Sequence, residues 1–232
     1  VLLHQPGARW TYGVNLDWVG KVVEAVRGKR LGEVMQERVF NPLGMKDIAF
    51  TMTPSMAARR ATIHDRAQDG KLTPLPDLVL PQPPEMDMGG HGLYATIGEY
   101  MKFIRMLLND GAAPDGSRVL KAETVEQRSQ NGLGNLKSGG WTTSIPSLSN
   151  TGEFYPGVTK TWAYTFQRNE EPTPTGRPAG QLMWAGLANT FYWIDRKNGV
   201  GGYWGSQIFP FLDVASYPGY LNFETAVYKS LS

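Results

Sequence analysis

Tyr12-Gly13-Val14-Asn15 and Trp184-Ala185-Gly186-Leu187 are the two stretches that decide how this chain is read. The first stands at the head of a helix. Trp18, Val19, Val22, Val23 and Val26 follow it at helical spacing. Asn15 or Asp17 can cap the start, and Gly28 fits the stop. The second lies within residues 181–195, a run of aromatic and β-branched side chains with the composition of a strand.

Outward from these anchors the chain divides by texture. A second helix is expected over 31–40 on Leu31, Val34, Met35 and Val39, broken by Asn41-Pro42-Leu43-Gly44-Met45. Residues 51–90 are rich in Pro, Met and polar side chains with weak periodicity. They read as a long excursion of short strands and turns, the kind of loop that serves as a lid or as packed irregular structure. Thr96 and Glu99 form a capping-box signature. The helix behind it carries Ile97, Tyr100, Met101, Ile104, Leu107 and Leu108 and is stopped by Asn109-Asp110-Gly111. A short helix is expected over 122–130. From residue 161 the texture changes: 161–168, 181–195 and 200–208 read as strands, with Asn198-Gly199 as the hairpin turn between the last two. Residues 214–231 read as a closing helix with Tyr220, Phe223, Val227 and Leu231 at helical spacing. The expected organisation is a mainly helical region with a long loop excursion over 1–160, and antiparallel strands plus a C-terminal helix over 161–232, both parts of one fold.

At 232 residues the chain can bury a sizeable core. Charged residues are 19%, below the ~25% usual for soluble domains, which points to extensive buried or partner-covered surface. A net charge of +2 without a dense Lys/Arg tract gives no footing for nucleic acid. The absence of cysteine rules out disulfides, thiolate metal sites and cysteine nucleophiles. No apolar run approaches the ~20 residues of a transmembrane helix. The first residues, Val1-Leu2-Leu3-His4-Gln5-Pro6-Gly7, form no signal peptide and read like the middle of a domain. His4, His64 and His91 show no metal-ligand spacing and no adjacent carboxylate, so no metal is expected. No Gly-x-Ser-x-Gly elbow occurs. The stretch Gly90-His91-Gly92-Leu93-Tyr94-Ala95 is only a degenerate dinucleotide fingerprint, with no clear strand before it and no βαβ alternation around it.

Four stretches, in this order and texture, resemble the serine β-lactamase family in its class C and carboxylesterase branch, a superfamily that also holds the penicillin-binding proteins. Tyr12 matches the tyrosine of the family's Tyr-x-Asn motif. The run from Glu24-Ala25-Val26 to Pro42-Leu43-Gly44-Met45 resembles its helix–helix segment. Gly90-His91-Gly92-Leu93-Tyr94-Ala95-Thr96 looks like its glycine-rich loop, which places His91 at the border of a pocket. Trp184-Ala185-Gly186 looks like the third motif, Lys-Thr-Gly in lactamases and Trp-x-Gly or His-x-Gly in esterases. The resemblance spans nearly the whole chain. The family's first motif, Ser-x-x-Lys, has no match, because no serine is followed three positions later by lysine.

The resemblance implies roles for particular residues. A phenol is a poor base at neutral pH, but beside the ammonium of Ser-x-x-Lys it can share or take the serine proton. Tyr12 is then the general acid–base group. The N–H of Leu187, just after the glycine, is one half of an oxyanion hole, and Gly186 lets substrate approach the strand. Ala185 completes the strand motif. Trp184 replaces the lysine that pairs with a lactam carboxylate and favours neutral, apolar acyl groups. Val14 replaces the asparagine that binds lactam amides.

The implied fold is α+β, β-lactamase/transpeptidase-like: an antiparallel sheet flanked by helices with a helical subdomain, the N-terminal strands and nucleophile helix lying outside this chain. The expected activity is that of a serine carboxylesterase acting through an acyl-enzyme on a small neutral ester, without cofactor. The nucleophile is expected from an N-terminal segment carrying Ser-x-x-Lys, preceding this chain or held as a separate one, and the chain by itself is expected to be inert. Two other readings stand beside it. One is an inactive relic or ligand-binding module of the same fold. The other is a penicillin-recognising transpeptidase relative, which Val14 and Trp184 disfavour.

Overall fold

The computed structural model describes residues 3–231; Val1, Leu2 and Ser232, at the ends of the stretches read above, lie outside the described residues. Helix α1 (Asn15–Arg27) ends at Gly28 in the left-handed conformation, as its sequence requires. Neither Asn15 nor Asp17 caps its start. The cap is Val14, Asn15 is already helical, and the Asp17 carboxylate turns away to accept the Gly90 N–H at 2.8 Å. Helix α2 (Leu31–Met35) runs on into a π-helical turn, Gln36–Phe40. Two short strands, β1 (Ile48–Ala49) and β4 (Tyr94–Ala95), pair antiparallel. Between them lie the short helix α3 (Pro54–Ala58) and the hairpin β2 (Ile63–Arg66) and β3 (Leu72–Leu75), so the excursion over 51–90 holds the short elements expected.

Helix α4 (Ile97–Leu108) follows. Its cap is half the expected capping box: Thr96 Oγ1 accepts the Glu99 N–H at 3.2 Å, but Glu99 is drawn outward to the Lys46 N–H and the Lys102 ammonium. Helix α5 spans Ala122–Ser129. The main sheet is antiparallel throughout, in the order β5 (Lys160–Trp162), β6 (Gln167–Asn169), β7 (Leu182–Gly186), β8 (Thr190–Asp195) and β9 (Val200–Trp204). The stretches 161–168 and 181–195, each read as one strand, are each two. Ala163 N–H to Phe166 O (2.8 Å), with Thr165 at φ 83, folds the first back; Asn189, at φ 60, turns the second. The stretch 200–208 also divides, since β10 (Ile208–Phe209) leaves for a second sheet and pairs parallel with β2. Asn198-Gly199 turns the chain between β8 and β9 as expected, its backbone held by the Asp195 carboxylate at 3.0 Å.

The period-two alternation of the central strands builds two cores. Leu182 and Ile194 face α4, packing with Ile104, Met106 and Leu107. Met183, Phe191 and Trp193 face the C-terminal helix α6 (Ser216–Lys229), packing with Tyr220 and Tyr228. The buried row of α6 is Tyr220, Glu224 and Tyr228 rather than the apolar row through Phe223 and Leu231, which stay exposed. The reason is Arg177. Fully buried, it pairs with Glu224 at 3.1 Å, and Tyr155 and Thr175 donate to the same carboxylate. Glu224 can lie inside because Tyr155 and Thr175 donate to one of its oxygens and the Arg177 guanidinium faces the other.

The N-terminus of α6 is held by Asp213. Its carboxylate accepts from Ala215 N–H at 3.1 Å and Ser216 N–H at 2.8 Å, and pairs with both Arg66 Nε and Arg66 Nη2. Burial alone would raise this carboxyl. The Arg66 guanidinium and the two N–H groups outweigh burial and hold it below the usual carboxylate range. A folded-state pKa below the unfolded one gives stability that is complete above the ordinary carboxylate range and is lost as pH falls through the folded value. Asp213→Asn is therefore expected to cost about 3 kcal/mol at neutral pH, the size of breaking a buried pair from one side. It is also expected to flatten the decline of stability as pH falls from the ordinary carboxylate range through the lower folded value. Urea denaturation of both proteins across that range checks both effects.

Candidate active site

Tyr12, Val14, His91 and the strand motif come from three parts of the fold. Tyr12 lies on the segment before α1 and is 55% exposed; Val14, at the helix cap, is also exposed. The glycine-rich loop is seated directly on α1. A Cβ at Gly89 would stand 2.1 Å from Leu16 O, and one at Gly20 would stand 3.2 Å from the Gly89 backbone. Glycine at 89 is what lets the loop lie in backbone contact with the first turn of the helix. Asp17 and Gly20, with the Leu16 carbonyl, therefore form the packed face of α1. The apolar spacing through Trp18, Val19, Val22 and Val26 faces outward, with Trp18 71% and Val26 77% exposed.

His91 stands on this loop with its Nδ1 3.9 Å from Asp17 Oδ1, while the same oxygen is fixed by Gly90 N–H. No carboxylate adjoins His91 in sequence; the one near it comes from α1 through the fold. Among the described residues, no three His, Asp or Glu side chains are grouped to hold a metal ion.

Trp184, Ala185 and Gly186 form the end of β7, and Leu187, 47% exposed, opens the turn to β8. A Cβ at Gly186 would lie 2.5 Å from Thr190 Oγ1, its partner across the ladder, so glycine lets the two strands close at this end. The turn is locked by Asn189, which is wholly buried. Its amide donates to Ile208 O (2.8 Å) and Pro210 O (2.9 Å), and its oxygen accepts the Asp213 N–H (2.9 Å). The position of Leu187 thus depends on a residue that sequence reading passed over. The signal was there: an Asn between two strand-like runs, a residue type that tolerates the left-handed conformation.

Tyr12 and the strand motif meet. The Tyr12 ring lies 5.2 Å from the Trp184 ring. Trp162 of β5 packs edge-on to Trp184 at 4.5 Å, and Trp10 packs on Trp162 at 5.2 Å. Behind Trp184 the ring of Phe154 is fully buried. Burial pushes the phenols of Tyr217 and Tyr100 up to about 12. Tyr12 keeps contact with water.

Comparison with known proteins gives the family and the fold. A family model described as β-lactamase matches residues 1–225, and the chain belongs to that family. It is 31% identical over 213 residues to the lovastatin esterase of Penicillium rubens, covering 87% of this chain and 51% of that enzyme. It is 37% identical over 135 residues to the monacolin J acid methylbutanoyltransferase of Aspergillus terreus, covering 56% of this chain and 31% of that one. The structure of a variant of simvastatin synthase from Aspergillus terreus superposes with a TM-score of 0.83 at 27% identity, covering 99% of this chain and 58% of that one. The chain thus spans about half the length of the esterase and little more of the synthase. These relatives are esterases and acyltransferases of the β-lactamase fold, and the α+β fold expected from the sequence is the one observed.

Removing the Asn189 side chain strands two carbonyls and one N–H in the interior, each at about 1–3 kcal/mol. Asn189→Ala is expected to destabilise the protein by about 3 kcal/mol or more on that basis. Asn189→Gly, which keeps the backbone conformation, is expected to recover only a small part. Thermal denaturation of the two variants checks this: full recovery by glycine would place the effect in the backbone and not in the hydrogen bonds.

Proposed function

We infer that this chain is the part of a serine acyl-transfer enzyme, of carboxylesterase type, that carries the acid–base group, one oxyanion donor and the acyl-binding wall. The observation that carries the reading is the contact of Tyr12 with Trp184, which joins the tyrosine motif to the strand motif. In the proposed cycle a serine hydroxyl attacks the ester carbonyl and gives its proton to the Tyr12 phenolate, a form that a neighbouring lysine ammonium favours. The oxyanion is received by the Leu187 N–H. The proton then passes to the leaving alkoxide, and the acyl group is transferred from the serine to water or to an acceptor alcohol, which frees the serine hydroxyl. The esterase and the acyltransferases among the relatives support both fates.

The serine and lysine belong to a segment outside this sequence, preceding it or held as a separate chain. Two observations support that assignment. The relatives are nearly twice as long as the matched part, and α1 presents an apolar stripe, Trp18, Val19, Val22 and Val26, that such a segment would cover. His91 borders the site beside Asp17 as a polar rim.

Assembled with a Ser-x-x-Lys segment, the protein is expected to hydrolyse p-nitrophenyl acetate, and Tyr12→Phe to lower kcat by ~10²–10⁴-fold, the usual loss of a general acid–base group. Full turnover in Tyr12→Phe would remove Tyr12 from the mechanism. Short neutral esters are expected to be preferred to β-lactams. With Trp184 in place of a cation and Val14 in place of an amide, a lactam's carboxylate and amide go unpaired at about 1–3 kcal/mol each. Side-by-side kcat/KM for a butyrate ester and nitrocefin should therefore differ by at least about tenfold in favour of the ester. Faster nitrocefin turnover would reject the substrate assignment while leaving acyl transfer in place.

A further inference from the structure

We propose that Ser206 is a positioning residue for the backbone N–H of Leu187: its hydroxyl closes a one-way hydrogen-bond relay that fixes the turn carrying that donor. The proposal rests on the acyl-transfer reading, in which the Leu187 N–H receives the oxyanion. The relay joins strand β9, helix α6, the segment between β9 and β10, and the β7–β8 turn. Trp204 Nε1 lies 3.0 Å from Ser216 Oγ, Ser216 Oγ lies 2.9 Å from Ser206 Oγ, and Ser206 Oγ lies 2.9 Å from Asn189 O. The two ends decide its direction. An indole N–H can only donate and a peptide carbonyl can only accept. Each serine between them therefore accepts from one side and donates to the other. Turning the Ser206 hydroxyl the other way would leave its oxygen facing Asn189 O with no proton between them, a mismatch that a connected network avoids.

The start of the relay is fixed by packing. A Cβ at Gly219 would stand 2.8 Å from the Trp204 ring, so glycine there lets the indole lie against α6. Ser216 is buried, and Asp213 takes its backbone N–H at 2.8 Å, which leaves the hydroxyl for the relay. At the far end, the two peptide oxygens that follow Leu187 are both held from residues 206–208. Asn189 O accepts the Ser206 proton, and Ala188 O accepts the Ile208 N–H at 3.2 Å with Ser206 Oγ 3.3 Å away. The Asn189 side chain anchors the turn from within, but its amide donates to Ile208 O and Pro210 O and not to the turn's own oxygens. Ser206 thus supplies the restraint on peptide orientation that the Asn189 side chain does not. An oxyanion donor stabilises charge only as far as it is aimed before the charge develops.

The test uses the protein assembled with its Ser-x-x-Lys segment. Ser206→Ala is expected to lower kcat on p-nitrophenyl acetate about tenfold, less than the ~10²–10³-fold of losing an oxyanion donor outright. Acylation and deacylation both pass through the oxyanion, so kcat falls whichever step limits, and KM is expected to stay within about twofold. Inhibition by butylboronic acid, which forms a tetrahedral anion on the serine, is expected to weaken in parallel with kcat. Ser206→Thr, which keeps the hydroxyl, is expected to restore most of both. Ser216→Ala, which leaves Ser206 its proton but not its direction, is expected to show a smaller loss. A Ser206→Ala protein that loses thermal stability but keeps kcat and boronate affinity would overturn the role and leave acyl transfer standing. A rise in KM with kcat unchanged would also overturn it, by placing the hydroxyl in ground-state binding. Amide hydrogen exchange needs no turnover, and residues 187–190 are expected to exchange faster in Ser206→Ala. Unchanged exchange there would overturn the relay. Faster exchange in a protein that hydrolyses no ester would uphold the hold on the turn and sink the acyl-transfer reading instead.

Discussion

The Asn189 side chain is the knot on which the site depends. It occupies a buried point between the β7–β8 turn, the strand β10 and the entry to α6, and all three hydrogen bonds available there are made within 3 Å. The residue it holds by the N–H, Asp213, in turn accepts from the first N–H groups at the start of α6 and pairs with Arg66 of β2. One short polar chain thus couples the main sheet, the second sheet and the C-terminal helix. Buried polar groups in a connected network fix one arrangement, because each alternative leaves a donor or acceptor unmatched. For this fold the consequence is local and functional. The end of β7, where Gly186 and Leu187 sit, cannot drift without breaking the network that anchors α6.

A second constraint acts from the other side of the site. The glycine-rich loop lies so close to α1 that residue 89 has no room for a Cβ, and Asp17 ties the next N–H to the helix. Asp87, just upstream, ties the same loop to α2. It accepts from Gly32 N–H at 2.9 Å and pairs with Arg30 at 2.7 Å. Burial opposes its ionisation, and Arg30 together with that N–H holds its carboxyl below the usual range all the same. The loop bearing His91 is therefore braced by two helices through backbone contact and two carboxylates. The Tyr12 ring, by contrast, packs against the rings of Trp10, Trp162 and Trp184, contacts that are less directional.

What the sequence made legible follows from which forces are local. Helix α1 and its glycine stop, the α4 periodicity, α5 and the Asn198-Gly199 turn were all read in advance, because spacing and turn chemistry act over a few residues. The two motifs were legible as family text. The rest was decided over long range. The outward face of α1 could not be told from a core face by period alone, since Gly20 and Asp17 supply its packed side. The strand runs 161–168 and 181–195 carry no break in composition where they fold back; Thr165 and Asn189 turn them by conformation. Phe154 and Tyr155 are buried in an irregular segment that has no period to read. Asp17 near His91 and Trp10 beside Trp162 are partnerships between distant segments, invisible to any local window.

The two kinds of constraint divide the site's labour. Hydrogen-bonded networks set the backbone that, on the proposed reading, would receive charge, where a displacement of the donor would weaken electrostatic stabilisation directly. Aromatic contacts set the surface that, on the same reading, would receive the apolar part of a substrate, where a ring can shift slightly and still pack. Trp184 belongs to both. Its backbone is in the ladder of β7, paired with Tyr192, and its indole packs against the rings of Tyr12 and Trp162. In the lactamase pattern the same position carries a lysine, which fixes a carboxylate by charge and so selects a narrow class of ligands. An indole there removes the charge and extends the apolar wall. On the proposed reading, specificity would come from shape and apolar area and not from charge, a basis on which related acyl donors differ by modest factors and not by absolute exclusion.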